Sequence, residues 1–122
     1  MKHITMKRIL LFVLLLVISG TTLSAQDDYN QRKAAEYTRE AEYYQKKAEG
    51  YRREAEYYLK KAADYTREAE YYLRKGDTSN ASMYQRWARD ATDKANLQMR
   101  WAREAEEKAA QYLKWAADAL RR

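Results

Sequence analysis

The side chains of this sequence that could do chemistry are aromatic and basic, and they recur at a fixed spacing of fourteen residues. Tryptophan occupies three positions at that spacing, and a row of tyrosines repeats it: Trp87, Trp101, Trp115, Tyr43, Tyr57 and Tyr71. Arg86 and Arg100 each precede a tryptophan. Aromatic faces beside cations bind through stacking and cation–π contacts. These eight residues therefore form a candidate face for a partner or for oligomerisation.

Catalytic and metal-binding chemistry finds no support in the residue pattern. The chain has no cysteine and one histidine, His3, so it offers neither a thiol nucleophile nor the Glu-x-x-His pairs of a di-iron site. Its many acids follow the spacing of a helix surface and alternate with Lys and Arg. We therefore expect no catalytic residue, no metal and no cofactor, and we predict that the protein is not an enzyme.

The aromatic rows must be positioned by a long helix whose contact stripe alternates alanine with tyrosine. The stripe follows alternating steps of three and four residues: Ala34, Tyr37, Ala41, Tyr44, Ala48, Tyr51, Ala55, Tyr58, Ala62, Tyr65, Ala69 and Tyr72. This is the heptad pattern of a coiled coil. The full repeat is two heptads, because three successive segments from residue 35 to residue 76 are near-copies: AEYTREAEYYQKKA, EGYRREAEYYLKKA and ADYTREAEYYLRKG.

A second helix supplies a complementary stripe with alanine at most contact positions. Its members are Ala81, Tyr84, Ala88, Ala91, Ala95, Gln98, Ala102, Ala105, Ala109, Tyr112, Ala116 and Ala119. A short loop makes neighbouring helices antiparallel. Pairing Tyr72 with Ala81 then sets a tyrosine against an alanine in most layers and keeps the tyrosines apart. The predicted fold is all-α, an antiparallel two-helix coiled-coil hairpin with an Ala/Tyr seam, assembling into a four-helix bundle.

The helix ends follow from capping residues. Asp28 with Gln31 resembles a capping box, and Gly76 suits the left-handed residue that ends a helix. We expect helix 1 over about 28–75, a turn over 76–80 and helix 2 over about 81–120. Asn80-Ala81-Ser82 also matches the N-glycosylation pattern, which is common by chance.

The first twenty-five residues are typical of a secretory signal peptide. Basic residues precede an apolar run from Ile9 to Ile18, and small and polar residues follow up to Ala25. The apolar run is shorter than the roughly 20 residues that span a bilayer. We expect cleavage after Ala25 and a secreted or periplasmic protein. The alternative is an uncleaved leader, which would be the chain's one attachment to a membrane.

Charge and composition favour an interaction protein. The formal charge is +6, and half of it lies in the expected leader, at Lys2, Lys7 and Arg8. Opposite charges alternate along the rest of the chain, which disfavours nucleic acid as a partner. A seam of alanine and tyrosine makes a thin core, so we expect the aromatic rows either to widen the hairpin's own seam or to bury against a second copy. The leading prediction is protein–protein interaction or structural spacing, with a homodimer as the favoured assembly.

The alternative prediction is a binding module. In that hypothesis the aromatic and basic face binds unfolded proteins, polysaccharide or lipid headgroups. A small, basic, cysteine-free exported chain with long hairpin helices is similar to the helical tentacles of Skp-type periplasmic chaperones. That resemblance, which rests on architecture, implies a holdase function.

Overall fold

The protein is a helical hairpin. The computed structural model describes residues 24–121, which form two α-helices, α1 (Ala25–Arg74) and α2 (Thr78–Arg121). The two helices make many contacts with each other, which confirms the predicted all-α hairpin. The predicted leader, apart from its last two residues, lies outside the described residues.

Helix α1 begins at a reciprocal cap that involves Ser24. The Ser24 hydroxyl accepts a hydrogen bond from the Asp27 N–H at 3.2 Å, and the Asp27 carboxylate accepts one from the Ser24 N–H at 3.4 Å. This exchange satisfies backbone donors that a helix start leaves unpaired. The cap therefore lies upstream of the expected one at Asp28, and α1 begins three residues earlier. The helix also continues through Gly50 without interruption.

The turn between the helices is short because both of its ends are capped by the chain itself. Gly76 has a φ of 79°, the left-handed conformation that ends a helix. The Gly76 N–H donates to the Leu73 carbonyl at 3.1 Å, and the Asp77 N–H donates to the Tyr72 carbonyl at 2.9 Å. These two bonds define a Schellman motif, as the position of Gly76 in the sequence predicted.

Asp77 caps the start of α2. Its carboxylate accepts hydrogen bonds from the Asn80 backbone N–H at 3.1 Å and from the Asn80 side-chain amide at 2.6 Å. An aspartate in this role starts the helix at the next residue. As a result α2 begins at Thr78, three residues before the expected start, and Asn80 lies in its first turn.

Among the described residues, the first compact unit comprises residues 24–48 and 103–121. Its core contains Ala34, Ala41, Ala109, Leu113, Ala116 and Ala119, with Tyr37, Tyr44, Tyr112 and Leu120 packed against them. Thr38 is buried beside this core, and its hydroxyl donates to the Ala34 carbonyl at 2.8 Å. The buried side chains are small, so the helices of this unit approach each other through methyl groups.

The second compact unit, Glu49–Ala102, contains the turn. Its buried apolar residues are all alanines: Ala55, Ala62, Ala69, Ala81, Ala91, Ala95 and Ala102. Tyr84 of α2 lies between two tyrosines of α1, with ring centroids 6.1 Å from Tyr65 and 5.6 Å from Tyr72. This is the location expected for a residue that faces Ala69, which lies between those two tyrosines in α1.

The expectation that the tyrosines stay apart is wrong in both units. Tyr84 stacks on Tyr72 with ring planes 9° apart, and Tyr112 stacks on Tyr44 at 5.8 Å with planes 10° apart. Where a tyrosine lies opposite an alanine across the seam, the methyl group leaves space beside it. Successive layers are only about 5 Å apart along a helix, so rings from neighbouring layers close over the methyl group.

Candidate interaction face

The three tryptophans extend the contact between the helices without being covered by it. Each packs against a seam tyrosine of α1 at a similar centroid distance: Trp87 on Tyr65 at 5.6 Å, Trp101 on Tyr51 at 5.6 Å and Trp115 on Tyr37 at 5.8 Å. Their exposed fractions are 42%, 38% and 42% respectively. One part of each indole is therefore packed within its unit, and the remainder faces outward.

The lateral tyrosines form a second partly exposed row. Tyr43, Tyr57 and Tyr71 each make an edge-to-face contact with the next residue in the chain, at 5.1, 5.2 and 5.2 Å. Their exposed fractions are 51%, 51% and 41%. The same local geometry recurs every fourteen residues because the sequence does. These rings supply apolar surface that the hairpin leaves in contact with water.

Lysines lie over the tyrosine rings. The lysine four residues later lies over each lateral tyrosine of α1: Lys47 over Tyr43 at 5.2 Å, Lys61 over Tyr57 at 5.4 Å and Lys75, just after the helix, over Tyr71 at 4.7 Å. From α2, Lys94 lies over Tyr58 at 5.6 Å and Lys108 over Tyr44 at 5.3 Å. These distances are within cation–π range.

The cations of this face were not among the residues that the sequence singled out. Arg86 and Arg100 are exposed on α2, whereas lysines make the ring contacts just described. The signal was present as a tyrosine followed by lysine at the fourth position, which recurs at every lateral tyrosine. Residues four apart face the same side of a helix, so that spacing could have identified the lysines.

The contact with Tyr57 raises the pKa of Lys61. Its hydrogen bond to Tyr57 is the main cause that raises the pKa of its ammonium above the ordinary value of 10.5. Desolvation acts in the opposite direction and is outweighed. Lys61 is therefore fully charged at any neutral pH.

A groove in the second unit brings the two aromatic rows together. It has a volume of about 320 Å³ and is lined by Tyr57, Tyr58, Lys61, Tyr65, Trp87, Asp90, Ala91 and Lys94. We call it the aromatic groove. Tyr57 and Trp87 belong to different rows and different helices, so one member of each row lines this groove. Two lysines and one aspartate accompany four rings there.

A second groove in the same unit has a different lining. It is lined by Thr66, Ala69, Glu70, Leu73, Gln85, Ala88, Arg89, Thr92 and Asp93, with a volume of about 750 Å³. Leu73 and Leu59, fourteen residues apart, are each 50% exposed. We call this the Leu73 groove. Sequence reasoning did not single it out, although the spacing of the two leucines is the same as that of the tryptophans.

The described residues contain neither a metal-ligand cluster nor a membrane-spanning helix. Residues 24–121 contain no group of three or more His, Asp or Glu side chains that could hold a metal ion. Neither helix in that range is long and apolar enough to cross a membrane. Comparison of the chain with known protein families, with curated proteins and with solved structures gives no significant match. The fold and the face thus define a helical hairpin with a lysine-covered aromatic side.

Proposed function

We propose that the chain is an exported, non-enzymatic coiled-coil protein that acts through protein–protein interaction, first of all with a second copy of itself. The observation that carries this proposal is the contrast between its core and its surface. Among the described residues, the buried apolar side chains are alanines and one leucine, Leu113, whereas all three tryptophans and four tyrosines are more than a third exposed.

Burial of the exposed aromatic rings in an interface would contribute a large favourable free energy for a hairpin with so thin a core. A Tyr or Trp side chain buries about 150–250 Å² when it is fully covered. Covering the exposed part of one such ring therefore removes roughly 80–100 Å² from water, which is worth about 2 kcal/mol. Two copies joined through Tyr57, Tyr71, Trp87 and Trp101 would bury eight rings. Association costs on the order of 4–15 kcal/mol, so this surface is sufficient for a dimer.

The form of the dimer that we propose is a four-helix bundle. Each hairpin supplies two helices, and their aromatic sides face each other. Such a bundle gives the thin alanine seam a second layer of large side chains, which is what a small scaffold without disulfides needs. Such a bundle would suit a spacer or an adaptor outside the cytoplasm, and the signal peptide predicted over residues 1–25 supports that location.

Sedimentation velocity combined with tryptophan emission tests this function. The wild-type protein at tens of micromolar should sediment as a dimer, with emission blue-shifted relative to a dilute sample. Trp87→Ser with Trp101→Ser should shift the population to monomer. The matched control is Leu59→Ser with Leu73→Ser, which removes two half-exposed apolar side chains from outside the aromatic groove. A wild-type monomer at this concentration would refute self-association. A dimer lost equally in both variants would refute the assignment to the aromatic side.

A second function is favoured by the charge of the aromatic groove. Lys61 and Lys94 line it together with four rings, and Asp90 adds an acceptor. Such a surface suits an anionic or sugar-bearing ligand, or an unfolded exported chain, and it would make the protein a binding module. This function predicts a monomer whose exposed tryptophans change emission when heparin is added, and an affinity that falls with salt.

A further inference from the structure

The aromatic side of the second unit carries charges that alternate with a seven-residue period. Along α1 and the residue that follows it, the order is Glu54, Lys61, Glu68 and Lys75. Seven residues are two helical turns less about 20°, so each of these side chains is turned only about 20° from the one before it, and successive ones are about 10 Å apart. Lys61 lines the aromatic groove, which fixes that side as the one on which the rings lie.

The partner helix alternates in step with this pattern. Lys94 of α2 lines the groove together with Lys61 of α1, so the two cations lie side by side across the helix pair. We call such a pair of neighbouring positions, one on each helix, a level of the unit. Trp87 packs on Tyr65 and Trp101 packs on Tyr51. Glu68 and Glu54 lie three residues after those two tyrosines, which makes each glutamate a neighbour of the same ring on the helix surface. A level with two lysines is therefore flanked on both sides by a level with a tryptophan and a glutamate.

The two glutamates form no ion pair with any residue that the structure describes. Glu54 and Glu68 are exposed, and among the residues that the structure describes neither forms an ion pair. Asp64, one of the two acids between them in α1, pairs with Arg67. Levels that carry lysine and levels that carry glutamate thus alternate on one exposed side of the unit. A second copy has the same spacing between levels, so its glutamates can lie opposite these lysines.

We infer that the dimer is antiparallel, with its two-fold axis between the levels of Lys61 and Glu68. This inference rests on the proposed self-association. Two hairpins that face each other across a two-fold axis can lie parallel or antiparallel. A parallel arrangement sets each level against itself, so that the lysine pair of one copy meets the lysine pair of the other. Like charges placed opposite each other across an interface are destabilising.

The antiparallel arrangement matches every level of the unit. With the axis between Lys61 and Glu68, these two residues face each other twice, because a two-fold interface is reciprocal. The next level outward sets Glu54 against Lys75. On α2 the same operation sets Lys94 over Trp87 of the second copy, which is a cation–π pair. The seven-residue alternation therefore selects both the direction and the register of the second copy.

A charge-swap experiment tests the arrangement. Lys61→Glu alone sets glutamate against glutamate, and Glu68→Lys alone sets lysine against lysine, each of them twice. We expect each variant to dimerise about tenfold more weakly than wild type or worse, which corresponds to about 1.4 kcal/mol or more. An equimolar mixture should restore association, because every reversed charge then faces its complement. Lys60→Glu and Glu56→Lys make the same charge changes away from the groove and should leave the dimer intact.

The possible results distinguish the antiparallel register from the proposed self-association. Wild-type dimer with weakened variants and a rescued mixture supports the antiparallel register. A wild-type dimer whose Lys61→Glu and Glu68→Lys variants associate normally, or fail to rescue each other, overturns the register and leaves self-association standing. A wild-type monomer overturns both. If that monomer also changes its tryptophan emission on adding heparin, the lysine levels serve an anionic polysaccharide instead of a second copy.

Discussion

Gly50 is the position at which one substitution should stabilise the hairpin most simply. It lies inside α1, and it is not in the positive-φ region, where Gly76 is the one glycine among the described residues. A β-carbon added at Gly50 would meet nothing within 4 Å. Alanine can therefore be introduced without steric cost and without new tertiary contacts.

The size of the effect follows from helix propensity alone. Glycine in a helix interior is less favourable than alanine by about 0.8–1.0 kcal/mol, chiefly because the unfolded glycine has more freedom to lose. Gly50→Ala should thus raise the free energy of unfolding by about 1 kcal/mol. For a domain of this size that corresponds to roughly 4–8 °C in the melting temperature.

Thermal melts followed by circular dichroism at 222 nm measure this change. Protein concentration must be held constant, since a dimer melts at a temperature that depends on it. Gly76→Ala is the matched control, because its φ of 79° is strained for any residue with a β-carbon. It should destabilise by about 1 kcal/mol. A Gly50→Ala protein that melts at or below the wild-type temperature would contradict a continuous α1, because alanine is favourable only where the backbone is helical.

Three further predictions concern the core, the second cap and one ammonium group. Leu113→Ala should cost about 2–5 kcal/mol in urea unfolding, because the side chain is 4% exposed, whereas Leu73→Ala at 50% exposure should cost much less; equal losses would contradict the core assignment. Asp77→Ala should cost about 1 kcal/mol, measured in the same assay, by removing the cap of α2, and no loss would contradict that role. The raised pKa of Lys61 means that its contribution to stability is present below pH 10.5 and is lost as pH rises through the folded-state pKa. Tyr57→Phe should therefore make Lys61 react faster with an amine-selective reagent at alkaline pH, as read by mass spectrometry, and an unchanged rate would show that the hydrogen bond has no such effect.

The hairpin could be predicted from the sequence because its determinants are local and periodic. The Ala/Tyr stripe specifies which side of each helix is buried, and Gly76 marks the turn by a conformation that few other residues adopt. These signals depend on residue type and spacing, and each can be read without knowing the rest of the structure.

Other features depend on how side chains fill space between layers. The stacking of Tyr84 on Tyr72 arises because alanine leaves room in the opposing layer, and a pairing scheme that treats layers as separate does not include that contact. The sequence prediction named Arg86 and Arg100 instead of the lysines, because each arginine precedes a tryptophan in the sequence. Adjacent residues of a helix point about 100° apart, so this neighbourhood in sequence does not place an arginine over the indole. The Ser24 cap was missed because that residue was assigned to the leader.

The fourteen-residue repeat leaves the pairing of the two helices close to degenerate. A helix that slid past its neighbour by one repeat would again set alanine and tyrosine stripes together, and most of the seam would be unchanged. The Schellman turn opposes such slippage by closing the hairpin at one point. Leu113 opposes it at the far end, because residues 85 and 99, its equivalents in the repeat, are Gln and Met. A variant that combined Leu113→Gln with a lengthened turn should populate several hairpins that differ in how far one helix end extends beyond the other. Limited proteolysis would trim each extended end, and native mass spectrometry would then separate the products as distinct species.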